Sequence, residues 1–139
     1  MSVMHASPFE MDEVPPPRRR LSWVQKFRVA FRGMKLGVRG HSSFFVHFFF
    51  SALVLVAAVV FRCELLEWCI LLTCIGLVLT AELFNSAIEI LFRGLDEPTR
   101  ARTWPCLDIA AGAVLFASII AAIIGSLIFV PHFVSLLHY

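Results

Sequence analysis

The chain has 139 residues, 59% of them apolar and 16% charged, with a net charge of +2 at neutral pH. That apolar share exceeds the roughly 45–50% of a soluble globular protein, so the composition argues against a soluble domain, and the small net charge argues against a nucleic-acid partner. The length fits one domain, and no internal repeat divides it.

Residues 1–20 are polar, partly acidic and proline-rich, and they end in PPPRRR. This reads as a disordered tail and not as a cleaved signal, because the first long apolar run starts only at Phe44. Over residues 21–40, Trp23, Phe27, Ala30, Phe31, Met34 and Val38 recur at three- and four-residue steps, with Lys26, Arg28, Arg32, Lys35 and Arg39 between them. That spacing predicts an amphipathic helix resting on anionic headgroups. Gly33, Gly37 and Gly40 weaken it as a free helix.

Three apolar runs follow, at about 44–62, 65–92 and 106–130. Each is long enough, at about 20 residues, to cross a hydrocarbon core of about 30 Å. The expected fold class is an all-α membrane protein: a surface helix and three transmembrane helices within one domain, 21–139. The first run is interrupted by His47, which reads as a hydrogen-bonded packing residue among phenylalanines. Cys63, Cys69, Cys74 and Cys106 show no paired metal spacing and read as small buried apolar residues.

Lys and Arg favour the cytoplasmic side. Eight of the twelve lie between Arg18 and Arg39, and Arg93, Arg100 and Arg102 lie between the second and third runs. The amino terminus and that second connection are therefore expected in the cytoplasm, with the Arg62–Glu67 turn and the His138–Tyr139 end opposite.

Carboxylates inside a bilayer are costly and functional by default, and the second run carries Glu82 and Glu89, with Asn85 between them. Seven helical residues return to within about 20° of the start, so the two acids share one face about 10 Å apart along the axis, with Asn85 about 60° to the side. With Arg93 at the surface, Glu89 lies about 6 Å and Glu82 about 16 Å below it. Glu89 is then at headgroup level, while Glu82 sits where the hydroxyl of an acyl-bearing alcohol could reach a general base. Asp108, near the start of the third run, is expected level with Glu89, and two such acids suit Mg²⁺ completed by water and phosphate oxygens. The alternatives are that Asp108 caps the third helix and that Asn85 is interhelical glue.

The stretch AELFNSAIE, Ala81 to Glu89, resembles the E-x-x-N-[ST]-A-x-E signature of the prokaryotic diacylglycerol kinase family. DIAAGAVL, Asp108 to Leu115, resembles the start of that family's third helix and is closer to its undecaprenol kinase branch. FRVAFRGMK, Phe27 to Lys35, is similar to its surface helix, and LLEWCILL, Leu65 to Leu72, to the entry of its second helix.

The resemblance implies a homotrimeric membrane lipid kinase of the bacterial cytoplasmic membrane, with active sites shared between neighbouring chains. It would use MgATP to phosphorylate a lipid alcohol, diacylglycerol or undecaprenol. Glu82 would be the catalytic base and contact the substrate, with Asn85 beside it. Glu89 would hold metal and nucleotide, and Asp108 would belong to the nucleotide site. Three positions depart from the family: His41 replaces a metal-binding glutamate, Arg93 an aspartate and Leu107 a lysine. Arg93, Arg100 and Arg102 are the candidates to supply the missing cation. A non-catalytic lipid- or partner-binding member is the main rival reading, and an ion-conducting oligomer lined by Glu82 and Glu89 is a third.

Overall fold

The computed structural model describes residues 22–38 and 42–138, so the expected tail at 1–20 and His41 lie outside it. Among the described residues there are four helices and no strand: α1 (Trp23–Val38), α2 (Ser42–Val60), α3 (Leu65–Arg93) and α4 (Glu97–Leu137).

The start of α1 is set by a reciprocal cap. Ser22 N–H donates to Gln25 Oε1 at 2.9 Å, and Gln25 N–H donates to Ser22 Oγ at 3.4 Å. Most of the helix is exposed, with Lys26 lying 4.7 Å over the Trp23 ring. Gly37 is buried where α1 meets α3; a Cβ there would stand 2.8 Å from Leu83 Cδ2. The glycine that weakens α1 as a free helix is thus the residue buried where the helix meets the bundle.

The α2–α3 turn closes as a Schellman motif. Cys63 N–H donates to Ala58 O at 3.0 Å and Arg62 N–H to Val59 O at 3.1 Å, with Arg62 in the left-handed region at φ 52°. A capping box then starts α3, in which Glu67 Oε2 accepts from Glu64 N–H at 2.8 Å. Ala58, Cys63 and Leu71 form a buried cluster here, with Phe61, Trp68 and Phe129 packed against it. Burial, and after it the Glu67 carboxylate, pushes the Cys63 thiol above its usual range. Cys74 is also buried, but Cys69 and Cys106 face outward, so only half of the cysteines are the buried apolar residues expected.

The third apolar helix begins at Glu97, well before Cys106. Asp96 is its N-cap, accepting from Thr99 N–H at 3.4 Å, and Pro98 sits in the first turn, where it is tolerated. Arg100 Nη2 donates to the carbonyls of Arg93 and Leu95, each at 3.1 Å, and so satisfies the end of α3. The helix runs on through Pro105 and Pro131 for 41 residues, a length of about 60 Å.

α3 and α4 pack antiparallel. Phe92 meets Trp104 at 5.5 Å between centroids near one end, and Glu67 meets His132 at the other. Both helices are long and apolar enough to cross a membrane, while the apolar part of α2, Phe44–Val60, is shorter. Most large apolar side chains of α2 to α4 point outward, as suits helices whose solvent is lipid.

Candidate functional site

Of the polar residues of the second run, Glu82 lies where α3 faces α2. Glu82 is buried, with a side chain only 2% exposed, and Asn85 and Ser86 beside it are buried too. A buried carboxylate costs several kcal/mol unless paired, and α2 supplies a partner. His47 Nε2 lies 3.9 Å from Glu82 Oε2, an ion-pair distance whenever the imidazole is protonated. The sequence reads His47 as a hydrogen-bonded packing residue; the antiparallel return of α3 along α2 identifies the buried acid as its neighbour. Nothing within one helix signals such a contact.

One turn toward the α3–α4 connection the chemistry changes. Asn85 Nδ2 donates to Glu89 Oε1 at 3.1 Å, and Arg93 Nη2 donates to Glu89 Oε2 at 3.4 Å. These two steps of four residues string Asn85, Glu89 and Arg93 along one face. The Glu89 side chain is 31% exposed, so the face grades from a buried acid to a half-open one. Asn85 joins Glu89 on its own helix, which is not interhelical glue. Ser86 Oγ is buried with no hydrogen-bond partner among the described residues.

Asp108 does not cap a helix, since Asp96 does. It sits inside α4 and is exposed. Interpolating the register between Phe92–Trp104 and Glu67–His132 sets it level with Glu89. Of the three cations proposed to replace the missing lysine, Arg93 is tied to Glu89 and Arg100 to the end of α3, while Arg102 is exposed.

Glu89 offers hard carboxylate oxygens at a half-open position. Mg²⁺ asks a protein for one or two carboxylates and takes the rest of its shell from water and phosphate, so this donor set fits it. Two apolar clefts flank the polar face. One of about 740 Å³ runs between α3 and α4 and reaches Asn85. The other, of about 720 Å³, is bounded by α2, α3 and α4 and has His47 in its wall.

The profile of the family described as prokaryotic diacylglycerol kinase matches residues 28–129. An undecaprenol kinase from Bacillus subtilis is 32% identical over 109 residues, covering 78% of this chain and 89% of the relative. A diacylglycerol kinase from Synechocystis is 29% identical over 128 residues, covering 87% of this chain and 73% of the relative. No solved structure matches.

Proposed function

Because the chain belongs to the prokaryotic diacylglycerol kinase family, we propose that it is a lipid kinase that transfers the γ-phosphoryl group of MgATP to the hydroxyl of a membrane lipid alcohol. The observation that carries this reading is the graded acid face of α3, a buried Glu82 below a half-exposed Glu89. Diacylglycerol and undecaprenol are the two lipid classes that the relatives' names supply.

In this scheme the lipid chain lies in the cleft walled by His47, and its hydroxyl meets Glu82. Glu82 takes the hydroxyl proton. The lipid oxygen bonds to the γ-phosphorus as the bond to the bridging oxygen breaks, and ADP leaves. Asn85 holds Glu89 in position through its amide, and Glu89, with Asp108 at its level, faces the nucleotide. Mg²⁺ held there by Glu89 would neutralise phosphate charge. Little covalent chemistry is asked of the protein, because in-line transfer depends on positioning and charge. The working form is a homotrimer in the bacterial cytoplasmic membrane, with the amino terminus in the cytoplasm.

The test is transfer of labelled phosphate from ATP by purified protein to a panel containing diacylglycerol and undecaprenol. Glu82→Gln should lower turnover by at least about 100-fold, the scale of general-base catalysis; full activity in that variant removes Glu82 from the role. The Glu89–Arg93 pair favours one rival, a member that binds lipid without turnover. Calorimetry separates the two, since the rival requires that MgATP not bind.

A further inference from the structure

At the end of the helices opposite Glu82 and Glu89, three side chains of different chemistry converge. Cys63 follows the left-handed Arg62 in the α2–α3 turn, Glu67 stands in the first turn of α3, and His132 lies near the end of α4. The thiol sulfur, a carboxylate oxygen and a ring nitrogen all lie within 4.8 Å of one another. His132 Nε2 is 3.0 and 3.1 Å from the two Glu67 oxygens.

We propose that Cys63, Glu67 and His132 bind a divalent transition-metal ion of the zinc class, with water in the fourth position. The donor set sets the class. Thiolate and imidazole suit zinc and its neighbours, whereas Mg²⁺ and Ca²⁺ take oxygen shells. Three protein ligands and one open position is an arrangement zinc adopts.

Each ligand is anchored independently of the ion. The Cys63 backbone is fixed by its N–H bond to Ala58, and the start of α3 by the Glu64–Glu67 capping box. The His132 ring is stacked on Phe61 at 6.1 Å, and Phe61 packs on Phe129 at 5.8 Å. Cys63 is buried, while Glu67 and His132 are 26% and 28% exposed, so the cluster has a closed back and an open front.

A tetrahedral site with bonds of about 2.0–2.3 Å has donor–donor edges of roughly 3.3–3.8 Å. With all three donors within 4.8 Å of one another, closing onto an ion asks for shifts of at most about 1.5 Å. Binding releases the thiol proton to water and exchanges the Glu67–His132 hydrogen bond for two metal bonds. The ion would fasten the α2–α3 turn to α4 at the end away from the proposed kinase chemistry. No spacing rule finds this set, because residues 63, 67 and 132 meet only through the antiparallel pairing of α3 and α4.

The probe is Co²⁺ added to the reduced, purified full chain in detergent micelles. Expected are one ion per chain, a thiolate-to-cobalt charge-transfer band with the intense visible bands of a four-coordinate ion, and displacement by Zn²⁺ but not by excess Mg²⁺. C69S/C74S/C106S should keep the band. C63S should lose it, and H132A should weaken binding by at least about tenfold, both with wild-type helical circular dichroism. No band in the wild type, a band surviving in C63S, loss of the band in C69S/C74S/C106S, or displacement by Mg²⁺ overturns the proposal. Misfolding of C63S leaves the wild-type and triple-variant spectra to decide.

Discussion

His47 and Glu82 show how much of a site one helix can announce. The face shared by Glu82, Asn85 and Glu89 was legible from seven-residue spacing alone, because helical geometry fixes it. The contact of Glu82 with His47 was not, because His47 comes from another helix and reads there as one polar residue among phenylalanines. Arg93 was legible as a departure from the family, but its bond to the very acid proposed to hold metal was not. A positioning role for His47 predicts that His47→Ala lowers kcat by about tenfold or more through misplacement of the base, with little change in KM for ATP. Partial rescue by His47→Gln would mark hydrogen bonding as the operative contact. Steady-state kinetics of the two variants, with ATP and lipid varied separately, make the check.

Among the elements, α1 and α4 depart most from what their sequences suggest. Gly37 reads as a weakness in α1, yet it seats the helix against Leu83, the neighbour of Glu82. Ala at 37 brings one methyl against the end of a flexible side chain and gains helix propensity, so its two effects oppose each other. Leu has no such accommodation. Gly37→Leu should push α1 off α3 and cut phosphoryl transfer by up to about 100-fold, measured on protein whose circular dichroism is unchanged.

The start of α4 was not legible, because the apolar run that marks the span begins only at Cys106, nine residues into the helix. The helix begins instead at Glu97, capped by Asp96, whose carboxyl is held below the usual range by the Thr99 hydroxyl first, then by backbone N–H groups and Arg100. A depressed pKa in the folded state stabilises above the ordinary carboxylate range and is lost as pH falls through the folded value. Asp96→Ala should therefore melt below wild type at neutral pH, and the gap should close below about pH 4. Thermal unfolding in micelles at both pH values tests it.

For the whole molecule, composition alone identified the membrane character, since apolar excess needs no knowledge of contacts. What composition could not give was the packing of one polar cluster at each end of the helices. The proposed orientation can be read directly in a chain whose four cysteines are replaced by serine. With an impermeant thiol reagent, Glu97→Cys should label in inverted vesicles and Leu137→Cys in right-side-out ones. The reverse pattern would invert the molecule and move Glu89 to the outer face. The two prolines inside α4 carry a further consequence. They bracket the apolar stretch, residues 106–130, that the sequence marks as the span. That stretch measures about 37 Å, which exceeds a hydrocarbon core of about 30 Å, so it must tilt or thicken the bilayer around it. Each proline removes a backbone hydrogen bond at a border of that stretch, so the helix is weakest against bending where it would leave the hydrocarbon.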